Sequence, residues 1–235
     1  MTARASDATR RRSVKPTLAA VVTEQLRSMV LAGRIAPGTQ MNEVELATRF
    51  GTSRGPIREA VQRLVEEGLL VGEAHRGVWL RQLSQADMED LYFARAAIER
   101  TACLRVLQRG PSAALLANLQ QALADMAYAL ETEDWSAAAA SDLRFHTQIV
   151  EAAASPLLSR MFGTLAGLTL LGLNFSVVGY RRQDLLDEHI LLMQRLADGD
   201  RAATLAALDD HFSSALEHLT APGALADRGN RDTDD

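Results

Sequence analysis

Residues 51–64 read GTSRGPIREAVQRL, and the arginines on either side of Pro56 decide what this segment builds. Ser53 is a suitable N-cap, and the first N–H groups of a helix have no partner within it, so a proline near the start breaks no hydrogen bond. Beyond it Ile57, Val61, Leu64 and Val65 share one face, while Arg54, Arg58 and Gln62 recur at i, i+4 and i+8 on another. One face packs and the other points outward.

Upstream, Leu18, Val22, Leu26, Met29 and Val30 repeat at helical spacing, and Gly33 stops that helix before RIAPGTQ. Asn42 with Glu45 marks the start of a second helix, whose apolar stripe of Val44, Ala47 and Phe50 ends at Gly51. Two helices joined by the tight FGTS turn, the second presenting arginines from its first turn, suit the major groove of DNA, where a guanidinium forks onto guanine O6 and N7. After Gly68, LLVGEAHRGVWLRQ alternates Val78 and Leu80 beside a His75-Arg76-Gly77 tip and predicts a two-stranded wing. Taken singly, Arg54 and Arg58 would be ordinary solvated charges. Three helices and a wing in this order, within a basic segment, predict DNA binding.

Charge divides the 235-residue chain. Met1 to Leu83 holds 13 Lys+Arg against 8 Asp+Glu, and the remainder 12 against 22, so the net charge of −5 separates into a basic third and an acidic rest. Different partners are expected for the two parts. The length suggests two compact units, here 16–82 and 84–220. They are flanked by a disordered arm over 1–15 carrying Arg10, Arg11, Arg12 and Lys15, and by a disordered tail over 221–235. The single cysteine, Cys103, excludes an internal disulfide, and the N-terminus lacks an apolar signal region, so a cytoplasmic protein is expected.

The acidic part reads as six helices with no strand. Ser84 with Asp87 caps the first, on which Met88, Leu91, Tyr92, Arg95, Ile98 and Ala102 share a face, and Gly110-Pro111 ends it. Leu116, Leu119, Leu123, Met126 and Leu130 mark the second, and 134–154 forms the third. The uncharged MFGTLAGLTLLGLNFSVVGY, 161–180, is the fourth; its scattered Thr164, Thr169, Asn174 and Ser176 favour a helix buried on all sides over a membrane span. Leu185–Leu196 and Asp200–Leu219 complete the set.

Three histidines fall on inward stripes of these helices. Asp142 and His146 lie four residues apart among Ala139, Leu143, Ile149 and Val150; His189 shares a face with Leu186, Met193 and Leu196, and His211 with Leu208 and Ala215. Two accounts fit this pattern: core histidines bonded to neighbours, with Asp142 paired to His146 or Arg144, or convergence of all four on a divalent cation that offsets their burial. His218 is a spare at the surface or pocket rim.

The stretch LAGRIAPGTQMNEVELATRFGTSRGPIREAVQRLVEEGLL resembles the winged helix-turn-helix of the GntR family of bacterial transcription regulators, and SRGPIREAVQRL matches the family's recognition helix nearly throughout. The resemblance implies that Arg54, Arg58 and the wing glycine Gly77 touch DNA, with Ser53 on a phosphate or base edge. Val44 stands where some members carry a further DNA-contacting arginine. The acidic part is similar to the FCD ligand-binding domain of FadR-like members, an antiparallel helix bundle, and six helices fit the shorter, VanR-like branch. The metal-binding members of that group show Asp-x-x-x-His on one helix and single histidines on two later ones. DLRFH supplies Asp142 and His146, DEHI supplies His189, and DDHF supplies His211. Arg95, in LYFARAAIE, resembles the family arginine that pairs with an effector carboxylate, a bridge to Glu99 being the alternative, and Ser155 replaces an asparagine found in many relatives.

The resemblance thus implies a mainly α, non-enzymatic regulator. A homodimer would bind a near-palindromic double-stranded operator under the control of a small carboxylate held at a divalent metal, zinc first, with nickel or manganese as alternatives. Three other readings remain at this point: a metal-dependent hydrolase, a purely structural metal, and an acyl-thioester effector. For the hydrolase, Glu188 and Asp210 are the nearest candidate bases, but each neighbours a histidine in sequence and so points away from it.

Overall fold

The structure, a computed structural model, describes residues 16–175 and 182–221. The arm expected over 1–15 and all but Ala221 of the tail expected over 221–235 lie outside the described residues. The basic part contains α1 (Leu18–Leu31), α2 (Glu43–Arg49), α3 (Arg54–Glu66), β1 (Leu70–Glu73) and β2 (Gly77–Leu80). Local chemistry sets these limits. The Asn42 side chain accepts from Val44 N–H at 2.9 Å, and Ser53 is the N-cap of α3 with a side chain that makes no capping bond. Fully buried Leu26, Ile57 and Leu64 join α1 to α3, and α2 packs on α3. The strands pair antiparallel, Leu70 opposite Leu80 and Glu73 opposite Gly77, around a tip in which His75 adopts a positive φ of 62°.

Six helices follow among the described residues: α4 (Gln85–Arg109), α5 (Ala113–Glu131), α6 (Trp135–Ala152), α7 (Pro156–Phe175), α8 (Arg182–Asp198) and α9 (Arg201–Leu219). The Ser84–Asp87 capping box forms in full, and Gly110 ends α4. Helix α4 packs against α6, α7 and α9, while α8 packs against α5 and α9. The inward stripes of α4, α6, α8 and α9 therefore meet in one interior.

Helix α7 differs from the expected fourth helix in both position and burial. It starts at Pro156, and residues 176–181 of the expected span lie outside the described residues. The start follows the same logic as Pro56, since proline fits a first helical turn. It is also not buried on all sides: Leu157 is 64% and Met161 47% exposed. The reason is its place in an outer layer, covered on one side by α4 and α6 and near its C-terminal end by α1. Its length and composition would allow a membrane span, but its packed side belongs to the core shared with the other helices.

Three contacts fix the C-terminal end of α7. Gly172 lies so close to Met88 that an added Cβ would come within 2.8 Å of the Met88 sulfur, so a larger residue would force the buried end of the Met88 side chain to shift. Asn174, buried, donates from Nδ2 to the Leu31 carbonyl at the end of α1, at 2.6 Å, and Phe175 packs beside Gly33. This joins the acidic helical bundle to the basic amino-terminal part.

Candidate metal centre and DNA-contacting face

Asp142 and His146 on α6, His189 on α8 and His211 on α9 are all buried, and each offers a ligand atom within 4.8 Å of the others. The Nε2 atoms of His146 and His211 lie 3.2 Å apart, and Nε2 of His189 lies 3.0 Å from Asp142 Oδ1. Asp142 thus faces His189, whereas Arg144, one of its expected partners, binds Asp125 at 2.6 Å on the bundle surface.

Each imidazole is held by its other nitrogen. His146 Nδ1 meets Glu99 Oε2 at 2.5 Å, His189 Nδ1 meets the Leu185 carbonyl at 2.7 Å, and His211 Nδ1 meets Glu188 Oε2 at 3.0 Å. Because all three partners accept, every Nδ1 carries a proton, and in the neutral ring every Nε2 then presents a lone pair toward the centre. His189 Nε2 has no hydrogen-bond partner among the described residues despite its short distance to Asp142, because the two are not aligned for one. Three inward lone pairs beside a carboxylate repel one another unless a cation lies between them. Nitrogens bound at about 2.0–2.1 Å to one ion at adjacent tetrahedral or octahedral positions sit roughly 2.8–3.4 Å apart, a range that includes the His146–His211 spacing. The donor set fits a divalent metal, with Glu99, Glu188 and the Leu185 carbonyl orienting the ligands.

Sequence reasoning missed the parts played by Glu99 and Glu188. Glu188 does point away from its neighbour His189, but it reaches across to His211 on α9 and accepts from Ser214 at 2.6 Å. Glu99 reaches His146 across 47 residues of sequence. Its place four residues after Arg95 on a buried stripe was the only local signal.

The charges are interdependent. Burial, then the neighbouring His189, pushes His211 down to about 4, so it stays neutral near pH 7. Burial opposes charge on His189, but the adjoining Asp142 carboxylate outweighs it and raises this group above its ordinary 6.5. Burial likewise disfavours the Asp142 anion, and contact with His189 overrides it, keeping the carboxylate ionised. Metal binding needs a neutral His189, so below its raised pKa one proton must leave as the ion enters. Affinity is therefore expected to fall by about tenfold per pH unit as acidity increases through that value, with His211 adding nothing until about pH 4. Chelator competition from pH 8 to 6 measures this. A flat profile would remove His189 from the ligand set.

Arg95 lies beside this cluster, buried, with Nε donating to Glu99 Oε1 at 3.0 Å and its guanidinium carbon 5.1 Å from the Tyr92 ring centre. Of its two expected roles the Glu99 bridge is present, while Nη2 is buried with no hydrogen-bond partner among the described residues. A buried donor without an acceptor costs about 1–3 kcal/mol, and more when charged. The cavity it borders, about 50 Å³, is also walled by Tyr92, Asp142, His211 and Leu173. His218 is half-buried, with Nδ1 donating to the Ser214 carbonyl.

On the opposite part, Arg54 and Arg58 project from the first turns of α3 and are exposed. They converge on one carboxylate that sequence reasoning left out: Glu43 Oε2 is 3.4 Å from Arg54 and 3.2 Å from Arg58, and Glu43 Oε1 is 3.3 Å from Arg58 Nε. The Arg58 bond holds Glu43 below its usual range. Val44 is 55% exposed, and Gly77 opens β2 with an exposed backbone at φ 125°.

Comparison with known proteins agrees with this division. Residues 18–79 match the family model for bacterial regulatory proteins of the gntR family, and residues 90–214 match the FCD domain. The chain is 36% identical over 131 residues, 55% of itself and 77% of the relative, to an HTH-type transcriptional regulator from the TAR-I ttuE-ttuC' intergenic region of Agrobacterium vitis. It is 29% identical over 213 residues, 89% of itself and 92% of the relative, to a protein of Paenarthrobacter nicotinovorans named as a probable D-xylose utilization operon transcriptional repressor. A solved GntR transcriptional regulator from Rhodococcus sp. RHA1 superposes with a TM-score of 0.76 at 24% identity, covering 86% of this chain and 96% of that one, which shows the shared fold. An amino-terminal winged helix-turn-helix followed by a helical FCD domain makes this chain a member of the GntR family of DNA-binding transcription regulators, which are not enzymes.

Proposed function

We propose that the FCD domain is a metal-dependent sensor of a small carboxylate and that it controls operator binding by a homodimer in the cytoplasm. The observation that carries this is the buried cluster of Asp142, His146, His189 and His211, three of whose donor atoms are aimed inward by partners on the opposite side of each ring. Asp142 and the three Nε2 atoms would hold the ion, with zinc the first candidate and nickel or manganese accepted by the same donors. When bound, a divalent ion supplies positive charge and open positions for an oxygen ligand. Arg95 Nη2 would hold that ligand's carboxylate by a charge-assisted hydrogen bond, which relieves its own unpaired burial.

On the DNA side, Ser53, Arg54, Arg58 and Gly77 would make the contacts. The arginines read base edges from the N-terminal turns of α3, and the wing backbone approaches the phosphates. Two copies would present their α3 helices to half-sites about 34–36 Å apart, which gives a near-palindromic operator. A ligand controls such binding only by preferring one spacing of the pair.

The test uses the full chain, metal-loaded or chelator-stripped, in operator-binding titrations with a panel of small acids. A shift of about 5- to 150-fold in operator affinity, present with metal and absent without it while the helical signal is unchanged, is the expected result. Unfolding on metal removal would instead assign the ion a structural role. No shift with any acid that demonstrably binds would end the sensor reading.

A further inference from the structure

Two kinds of residue line the cavity beside the cluster. Tyr92, Arg95, Asp142 and His211 bring polar side chains. Most of the others are aliphatic and set off along the helices: Ala138 lies about one turn before Asp142 on α6, and Ala215 and Leu219 about one and two turns after His211 on α9, joined by Leu173, Leu185 and Trp135, whose indole N–H is the one side-chain donor among them. Ala138 belongs to a small hydrophobic cluster separate from the main core, against which Trp135 and Leu185 pack. Nearly all the side-chain groups able to satisfy a ligand's oxygens therefore belong to Tyr92, Arg95, Asp142 and His211.

We infer that the effector is a short-chain carboxylic acid with an apolar body, not a polyhydroxylated acid. The inference rests on the reading of this site as an acid sensor and adds the ligand class. The carboxylate would take the unpartnered Arg95 Nη2. The rest of the molecule then extends among mostly methyl and isobutyl groups, where a hydroxyl loses water and, among the described lining residues, gains few partners in exchange. Size points the same way: about 50 Å³ holds roughly four ordered waters, enough for a body of a few carbons. Apolar groups gain from this wall by area removed from water, whereas each stranded hydroxyl is expected to weaken binding by about tenfold.

Butyrate and threonate test this, since both are four-carbon acids of the same charge and differ by three hydroxyls. Calorimetry and thermal unfolding of the zinc-loaded full chain are expected to give at least about a hundredfold preference for butyrate, with isobutyrate behaving like butyrate. Ala215→Ser, which adds one hydroxyl to the apolar wall, is expected to narrow that ratio by lowering butyrate affinity and raising threonate affinity. Should this variant not fold, Leu185→Asn at a half-buried position asks the same question. Threonate binding as well as or better than butyrate overturns the apolar-body inference and leaves the acid sensor standing. Failure of all three acids to bind overturns the apolar-body inference, and the wider acid panel then decides the sensor reading.

Discussion

Replacing His146 by alanine is expected to weaken metal binding by about 100-fold or more, beyond the roughly 10- to 100-fold that loss of an orienting partner brings. His146 supplies one of the two Nε2 atoms that face each other at 3.2 Å, and it is the ring that Glu99 holds from behind. Glu99→Gln separates the two contributions: the ring stays, the charge behind it goes, and the loss should be near the lower end of that range. Chelator competition gives both affinities, and far-ultraviolet dichroism checks that the helices persist. Equal metal affinity in wild type and His146→Ala would mean that the ion, if any, binds elsewhere.

On the DNA face, Arg58→Ala is expected to reduce operator affinity by about 5- to 150-fold, corresponding to roughly 1–3 kcal/mol for a side chain that reads a base edge, with a much smaller loss on non-specific duplex. Glu43 makes the more discriminating partner experiment. By charge alone, Glu43→Gln should tighten binding to every sequence, because it removes an anion from a surface that approaches phosphates. If Glu43 also sets the pose of Arg54 and Arg58, with both of which it pairs, operator binding should fall while non-specific binding rises. Titrations on operator and scrambled duplex at two salt concentrations separate these outcomes. Uniform tightening would reduce Glu43 to a bystander charge.

How legible each feature was in the sequence depended on the range of the interaction that creates it. The capping residues Asn42, Ser53 and Ser84, the proline at the start of α3 and the paired apolar runs of the wing act within a few residues, so the DNA-binding part and α4 could be read directly. The four cluster residues were visible because an inward stripe of a helix should not carry ionisable groups, and each of them breaks that rule. What escaped was cross-helix chemistry. Glu99 meets His146 across 47 residues, Glu188 meets His211 across 23, and Arg54 and Arg58 turn back to Glu43 on the preceding helix. No spacing rule along one helix encodes those pairs. Helix α7 was misread for a different reason: an uncharged run has no polar stripe to fix its register or reveal its outer side, and Pro156 was the one usable start signal.

The hydrogen bond from the Asn174 side-chain amide to the Leu31 carbonyl has a mechanical consequence. The residue just before Asn174 is Leu173, whose side chain forms part of the cavity wall. A molecule settling against that wall would therefore press on a segment whose very next residue grips the end of α1, itself packed along α3, the helix that carries Arg54 and Arg58. For the sensor proposed above, the lever to the DNA-binding part would be one peptide unit long at its narrowest point, with little elastic chain there to absorb the push.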